Sequence, residues 1–348
     1  MNILIYGAGA IGCHIGHCMY TTGHRVKLIC RGEHYEQMKK NGMHIKICDN
    51  EVVKHEQVIK EDSRFEILND VNQINDPEMD YIFITVKLGD YNDRALQKLH
   101  PFLGKDTAVI PPCTKLPFWW FYNLDEKSNQ KYNNIDFDPQ VSKHFNRENI
   151  ICMTMWLSSV IDRPGSVCVK HIQRGYPLGP VFPKMNDHAE KLRNVFSRTC
   201  ISPVVEDIRS EIFIKSINSF AFNTVAIDRE FNNLQLSRDE YSKDCIRKIM
   251  FEGDQILRAL NIPIIQSVED RITQTLSSTK HTMSMLHDYR TGHPVELSHH
   301  WDSLNKIAKI LGVKMEYSGC VYKKVMSKIC ARQSSTAADP SSSYQSPF

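Results

Sequence analysis

Residues 1–13, MNILIYGAGAIGC, decide the fold of the first part of the chain. The apolar run NILIY is typical of a buried strand, and Gly7, Gly9 and Gly12 follow it at the spacing Gly-x-Gly-x-x-Gly. In this pattern the first glycine makes a tight turn, the second lets the backbone approach a pyrophosphate, and the third lets a helix pack closely on its strand. The loop therefore predicts backbone N–H groups that are aimed at an anion.

The residues after the loop favour a dinucleotide site over a glycine turn that binds nothing. Ile15 and Met19 continue a helical spacing, and the run RVKLIC at residues 25–30 reads as a second strand. A strand, a helix and a strand within about thirty residues form the βαβ unit that the motif requires. The predicted cofactor-binding residues of the loop are Gly7, Ala8, Gly9, Ala10, Ile11 and Gly12.

The end of the second strand distinguishes the two nicotinamide dinucleotides. An acidic residue there binds the ribose of NAD, whereas a basic residue meets the 2′-phosphate of NADP. Arg31 occupies this position and favours NADP, because a guanidinium binds a phosphate with two parallel hydrogen bonds. Glu33 is the alternative: it serves an NAD ribose or only starts the next helix.

Length and composition indicate an ordinary soluble protein. The chain has 348 residues, a net charge of +3, 41% hydrophobic and 24% charged residues, which suits two domains. This charge balance does not indicate a nucleic-acid partner. No run approaches the roughly 20 apolar residues of a membrane span, and the sequence enters a strand at once, so we expect a cytoplasmic location without a membrane partner.

The cysteines and histidines do not predict a metal site. None of the eleven cysteines forms a Cys-x-x-Cys pair, and most lie in apolar runs, so they read as reduced core residues. Among fifteen histidines, His299 and His300 are adjacent, but adjacent residues on a helix point in different directions. We therefore expect no structural metal.

Several further strands are predicted before residue 207. The alternating runs at 44–48 and 51–55 read as a hairpin inserted into the nucleotide-binding domain. The buried strand YIFITV at 81–86 ends in Lys87, which faces the cofactor or substrate if it is not simply a solvated lysine. A strand at 107–110 then stops at two prolines.

The next segment combines an aromatic cluster with a polar stretch. Trp119, Trp120 and Phe121 are expected to pack in the core rather than cover a cleft. Residues 122–149 lack periodicity and read as a long surface loop, either a lid or a tolerated insertion. Three apolar or alternating segments follow and are expected to extend the sheet by pairing with one another, at 150–160, 166–171 and 176–181.

From Asp207 onward the periodicity is helical, so residues 1–206 and 207–330 are expected to form two domains. The predicted helices cover 207–226, 239–260, 267–276, 295–311 and 315–330. Residues 331–348 are rich in serine and are expected to form a disordered tail.

A polar stripe runs along the first of these helices. Lys215, Ser219 and Asn223 recur every fourth residue within an otherwise apolar stretch. A lysine inside a buried helix is costly unless it is used, and burial lowers its pKa, which suits proton transfer. The alternative is a lysine whose ammonium reaches solvent.

A second cluster, HTMSMLHDYRTGHPVEL at residues 281–297, completes a resemblance to a known family. The glycine loop, Lys87, Lys215 and the spacing of twelve residues from Ser284 to Glu296 together resemble the ketopantoate reductase (2-dehydropantoate 2-reductase) family. The resemblance implies a Rossmann-like doubly wound sheet followed by an all-helical domain of the 6-phosphogluconate-dehydrogenase-like type. It covers the chain to about residue 330.

The resemblance also implies roles for individual residues. Lys215 would donate a proton to the substrate ketone, and Glu296 would hydrogen-bond Lys215, position the substrate and contact the cofactor. NADP(H) would be held by Arg31 at its 2′-phosphate, with Lys87 near both nicotinamide and substrate. The remaining implied contacts are to the substrate for Ser219, Asn223 and Ser284, and to the cofactor for Thr114.

Two departures from the family pattern keep the function open. Ser219 replaces a usual asparagine, and Cys113-Thr114-Lys115 replaces Gln-Asn-Gly. The leading hypothesis is an NADPH-dependent reductase of a small 2-keto acid, most simply ketopantoate to pantoate in pantothenate biosynthesis, with a homodimer left possible. The alternatives are a reductase of another 2-keto acid and an NADP-binding sensor or interaction protein without turnover.

Overall fold

The structure is a computed structural model that describes residues 1–49, 52–113, 115–124, 130–133, 135–136, 138–277 and 282–337. Its strands, in chain order, are β1 (Asn2–Tyr6), β2 (Arg25–Ile29), β3 (Met43–Asp49), β4 (Val52–Ile59), β5 (Phe65–Leu68), β6 (Tyr81–Ile84), β7 (Ala108–Ile110), β8 (Ile151–Met153), β9 (Trp156–Arg163), β10 (Ser166–Gly175) and β11 (Leu178–Pro180).

Short helices connect these strands, and longer ones form the second half of the chain. The helices are α1 (Ala10–Thr21), α2 (Gly32–Asn41), α3 (Asp93–Gln97), α4 (Pro139–Ser142), α5 (Asn186–Thr199), α6 (Ile208–Arg229), α7 (Asn233–Arg238), α8 (Glu240–Ala259), α9 (Val268–Leu276), α10 (Ser284–Thr291), α11 (Leu297–Leu311) and α12 (Glu316–Ala337). None of the helices in the described residues is both long enough and apolar enough to cross a membrane.

The main sheet is parallel throughout, with the strand order β5-β2-β1-β6-β7. The chain builds outward in one direction from β1 through β2 to β5, and in the other through β6 to β7. The order reverses between β1 and β6, which is where ligands bind in such sheets. The predicted doubly wound sheet is therefore confirmed, and its carboxyl edge locates the candidate site.

The predicted hairpin is confirmed, but it belongs to a second sheet. β3 pairs antiparallel with β4 and parallel with β10, giving the order β4-β3-β10-β9. The expectation that residues 150–181 form one extension of the main sheet is wrong. Only β8 and β11, which pair with each other, follow the edge of the main sheet, through a parallel bridge from Val109 to Ile150.

The helical domain is built around α6, whose residues are buried along almost its whole length. It packs against α8, α10, α11 and α12. The acidic and hydroxyl residues at the predicted helix starts act as N-caps: Asp207 accepts from the N–H of Arg209, and Ser267 accepts from that of Asp270. These caps explain why the helix starts were readable from the sequence.

The start of the proposed tail is helical. α12 continues to Ala337, seven residues beyond the end predicted at Cys330. The Arg332 guanidinium lies 4.7 Å from the centre of the Tyr289 ring and donates to the carbonyl oxygen of Arg290 at 3.1 Å. The expectation of disorder from residue 331 is therefore wrong for 331–337, and residues 338–348 lie outside the described residues.

The aromatic segment packs in the core between the domains, as expected. The side chains of Trp119 and Trp120 are fully buried, and the Trp120 ring lies 6.0 Å from that of Phe213 on α6. Arg209 donates its Nε–H to the carbonyl oxygen of Trp120 at 3.2 Å and another N–H to that of Tyr122. A guanidinium from the helical domain thus satisfies the carbonyl groups of this buried turn.

The polar stretch 122–149 carries buried side chains among its described residues. Leu124, Val141 and Phe145 are buried, and α4 lies within the stretch. The prediction of a solvated loop therefore fails at these positions, because widely spaced apolar side chains fold the polar segment onto the aromatic cluster. Residues 125–129, 134 and 137 lie outside the described residues.

Candidate active site

The glycine loop forms a turn that other side chains could not make. Gly7 has a φ of +118°, and a Cβ on it would lie 2.8 Å from the N atom of Val86. A Cβ on Gly12 would lie 2.0 Å from the carbonyl oxygen of Gly7, so Gly12 permits the close approach of α1 to β1. The Thr85 hydroxyl, at the end of β6, donates to that same oxygen at 2.6 Å.

The mouth of this turn suits a phosphate. A Cβ built on Gly9 would meet nothing within 4 Å, so the backbone there faces open space. Gly9 caps α1 without a side-chain hydrogen bond, and the first turn of α1 carries no acidic residue. The N–H groups of Ala10 and Ile11, at the first positions of α1, have no acceptor within the helix, and together with the helix dipole they favour an anion at this open turn.

Arg31 and Glu33 differ in what they contact. Arg31 directly precedes α2, is 63% exposed, and pairs with Asp90 at 3.1 Å beside the end of β6. Its guanidinium therefore lies on the carboxyl side of the sheet, which a bound dinucleotide would share. Glu33 lies in the first turn of α2, where its charge favours the helix N-terminus.

Lys87 lies at the predicted strand end but is not part of β6. It precedes a short 3-10 turn at Leu88–Asp90 and its side chain is exposed. Its position after β6 is therefore compatible both with a lysine that faces the cofactor or substrate and with a simply solvated lysine. Thr114, the other predicted contact on this side, lies outside the described residues.

Lys215 lies on α6 with its side chain only partly exposed. Its Nζ lies 4.7 Å from the centre of the Trp156 ring, at the start of β9. Desolvation by the surrounding protein lowers the pKa of Lys215 from 10.5 to about 8. The ammonium is therefore still abundant near neutral pH, yet it loses its proton more readily than a surface lysine.

The sequence alone assigned no role near Lys215 to His300 or Lys115, whose surroundings the structure describes. His300 on α11 is buried, and desolvation together with the charges of His299, Lys215 and Lys115 lowers its pKa to about 4. Lys115 pairs with Asp138 at 3.7 Å. Lys115 belongs to the departure from the family pattern, so the substitution itself was the available signal. The structure brings a second lysine toward the same region.

Asn223 connects α6 to the start of α10. Its Oδ1 accepts the N–H of Met285 at 3.0 Å, and its Nδ2 donates to the carbonyl oxygen of Ser219 at 2.8 Å. The predicted stripe thus continues past Lys215 as a hydrogen-bonded chain. Ser284 is exposed at the first position of α10, next to the residue that Asn223 holds. Asn223 therefore fixes the position of Ser284.

Glu296 joins the two domains instead of pairing with Lys215. Its Oε1 accepts the N–H of Leu88 at 3.3 Å, just after β6. Within the described residues, Lys215 forms no ion pair with a carboxylate, and desolvation is the cause of its pKa shift. The expected hydrogen bond between Lys215 and Glu296 is not formed, because the Glu296 carboxylate is directed to the backbone of the nucleotide-binding domain.

Family models match both halves of the chain. The model described as "Ketopantoate reductase PanE/ApbA" matches residues 3–112, and that of its C-terminal part matches residues 207–328, together more than half of the chain. The chain belongs to the ketopantoate reductase family. The two matched ranges contain the glycine loop and the stripe on α6.

Curated relatives and solved structures agree with this membership. A 2-dehydropantoate 2-reductase of Mesorhizobium japonicum is 24% identical over 85% of this chain and 88% of its own, and one of Pyrococcus horikoshii is 24% identical over 94% and 97%. The crystal structure of the Geobacter metallireducens 2-dehydropantoate 2-reductase has a TM-score of 0.77 at 18% identity, covering 94% and 100% of the two chains.

Another similar fold bears a different name. The ternary structure of D-mandelate dehydrogenase with NADH and anilino(oxo)acetate has a TM-score of 0.74 at 21% identity and covers 95% of this chain and 99% of that one. At this identity the likeness concerns the fold alone. It shows that this architecture is shared by enzymes named for more than one substrate.

Proposed function

We propose that this protein is an NADPH-dependent reductase of a small 2-keto acid, with 2-dehydropantoate as the first substrate to test. The observation that carries the proposal is Lys215, a desolvated lysine whose pKa is about 8. Its neighbours are the aromatic ring of Trp156 and the buried His300. The glycine loop, with its open face at Gly9, supports a dinucleotide at the sheet edge.

Lys215 provides the acid that carbonyl reduction needs. A bound nicotinamide would supply the hydride that the keto carbon accepts. Negative charge then develops on the keto oxygen, and an ammonium donates the proton that neutralises it. A general acid is most effective when its pKa lies near the working pH, and the lowered pKa of Lys215 is closer to neutrality than that of an ordinary lysine.

The substrate carboxylate has one candidate partner in the helical domain and another in the nucleotide-binding domain. The hydroxyl of Ser284 is the first candidate, at the start of α10, where Asn223 holds the backbone by accepting the N–H of Met285. Lys115 is the other candidate, since its charge acts on the same His300 as that of Lys215. Glu296 is proposed to hold the Leu88 backbone against the helical domain.

Trp156 supports a second substrate class, the aromatic 2-keto acids. Its ring faces Lys215 at 4.7 Å, and its Nε1–H is buried without a partner in the described structure. A flat apolar surface beside the proton donor suits an aryl group as well as the gem-dimethyl carbon of ketopantoate. The similar fold solved with anilino(oxo)acetate agrees with this reading.

The test is NADPH oxidation by the purified chain with matched 2-keto acids. 2-Dehydropantoate, pyruvate and phenylglyoxylate separate a branched hydroxylated substrate, a small one and an aromatic one. Turnover of any of them above its no-enzyme control supports the proposal, and the ratio of kcat/KM values assigns the class. NADPH binding without turnover of any 2-keto acid would favour the sensor alternative.

The cofactor preference is tested at Arg31. A charged hydrogen bond to the 2′-phosphate contributes about 1.5–3 kcal/mol, more than the exposed ion pair with Asp90, whose kind contributes about 0–1 kcal/mol. NADPH should therefore bind more tightly than NADH, and Arg31→Ala should narrow the gap in a fluorescence titration. Equal affinities of the wild type for the two dinucleotides would contradict the proposed cofactor.

A further inference from the structure

A buried cluster of side chains that are able to bind a metal lies on α1, the helix that follows the glycine loop. His14, His17 and Cys18 place one potential ligand atom each within 4.8 Å of one another, and all three side chains are buried. Positions i, i+3 and i+4 share a helix face, so the spacing itself brings these residues together. The expectation of no structural metal rested on the lack of Cys-x-x-Cys pairs and on the adjacent His299 and His300, and it did not consider this spacing.

One member of the cluster, His17, is buried without a hydrogen-bond partner of normal geometry among the described residues. It is 4% exposed, and both of its ring nitrogens lack such a partner, although the Gln57 side chain is close enough to act on its pKa as a hydrogen-bond partner. Burial of an unpaired imidazole is energetically costly, so such a group points to a binding partner other than a protein side chain. The ring plane of His17 is stacked at 12° to that of His14, with centroids 6.3 Å apart.

The remaining two residues are arranged as a metal would need them. The Cys18 Sγ lies 3.7 Å from the His14 Nε2, and the other ring nitrogen of His14 bonds the Tyr176 hydroxyl at 2.7 Å. In a tetrahedral Zn²⁺ site, bonds of about 2.3 Å to sulfur and 2.0–2.1 Å to nitrogen put these two atoms about 3.6 Å apart. A hydrogen bond on the outer nitrogen is the usual support of a metal-bound histidine.

We propose that His14, His17 and Cys18 bind a Zn²⁺ ion that stabilises the packing of α1 on the second sheet. Nitrogen and thiolate ligands of this kind select zinc over hard cations such as Mg²⁺. Binding converts the Cys18 thiol to a thiolate, and its proton is released to the solvent. His55 on β4 is proposed as the fourth zinc ligand, because the centre of its ring lies 5.4 Å from that of His17.

Co²⁺ titration of the chelator-treated full-length chain tests the site spectroscopically. The wild type should develop a thiolate-to-cobalt charge-transfer band and visible bands of a tetrahedral ion, saturating at one ion per chain and reversed by Zn²⁺. Cys18→Ser should abolish the charge-transfer band, while Cys152→Ala, at an equally buried cysteine of β8, should retain it. Absence of the band in the wild type, or its persistence in Cys18→Ser, overturns the proposal.

A second variant, His17→Leu, tests the same site if Cys18→Ser does not fold. His17→Leu removes an unpaired buried polar group, so the metal-free variant should melt at or above the temperature of the metal-free wild type. Zn²⁺ should raise the Tm of the wild type and leave that of His17→Leu unchanged, because only the former binds the ion. An equal rise of Tm in both proteins would show that the metal binds elsewhere and would overturn the assignment.

Discussion

Lys215 illustrates how far a single residue can be read from its neighbours in sequence. Its position every fourth residue with Ser219 and Asn223 predicted the polar stripe on a buried helix, and the structure places all three on α6. Trp156 could not be predicted, because it comes from another sheet and meets Lys215 only after the domains pack. Helix periodicity reports one face of one element, not the surface that the element meets.

Removal of the Lys215 ammonium tests its role as the acid. Lys215→Ala should lower kcat for the preferred 2-keto acid by about 10²- to 10⁴-fold, the range that general acid catalysis contributes. NADPH affinity should stay near that of the wild type, because the glycine loop belongs to the other domain. Lys309→Ala, an exposed lysine of α11, is the matched control. A loss in kcat of less than about twofold would exclude Lys215 as the proton donor.

The lowered pKa of Lys215 gives a directional pH prediction. The proton donor must be charged, so kcat/KM should fall as the pH rises through about 8, the pKa of Lys215 in the unliganded protein. Trp156→Leu removes an aromatic face that favours the ammonium, so this limb should move to lower pH. A pH–rate profile of both proteins measures it, and a limb that stays in place would show that Trp156 does not contribute to the charge of Lys215.

The bounds of helices could be predicted from the sequence where capping residues and helical periodicity agree. They could not be predicted where a polar composition conceals buried packing. The starts of α6, α8 and α9 follow capping residues, so their predicted positions are close to those observed. The end of α12 lacks such a signal, because serines and alanines of residues 331–337 can continue a helix that is anchored by its neighbours. Polar composition likewise concealed the burial of Leu124, Val141 and Phe145, which are widely spaced in the stretch 122–149.

The helical end of α12 changes the expectation for a truncated chain. Deleting residues 331–348 removes Arg332, whose contacts include a cation–π pair of about 0.5–1 kcal/mol and a hydrogen bond of about 1 kcal/mol. Each kcal/mol should lower the Tm by about 2–4 °C. Deleting only residues 338–348 is the matched control in a thermal melt. Equal Tm values for the two truncations would show that the last turns of α12 do not dock.

At the scale of the whole molecule, the sequence predicted two domains but not how they join. The order β5-β2-β1-β6-β7 follows from the βαβ pattern, since right-handed crossovers leave few alternatives. Pairing of β3 with β10 joins segments over 100 residues apart, and no local signal specifies such a contact. The contact of Arg209 with the aromatic segment is equally nonlocal, and it ties α6 to the segment that follows β7.

Glu296 provides the final test, because it crosses the cleft between the domains. Its carboxylate accepts the Leu88 N–H at 3.3 Å, so Glu296→Gln can keep this hydrogen bond while Glu296→Ala cannot. If Glu296 holds the domains in register, the alanine variant should lose about 1 kcal/mol more transition-state stabilisation in kcat/KM than the glutamine variant.

A charge-based role gives the opposite pattern. If Glu296 instead pairs with Lys215 when substrate is bound, both variants should lose activity equally, and each combined with Lys215→Ala should lose less than the sum of the single changes. The register hypothesis predicts near-additivity with Lys215→Ala, because the residues then act on different parts of the site. Steady-state kinetics of the two single variants and of the two double variants decides between a link across the cleft and an ion pair within it.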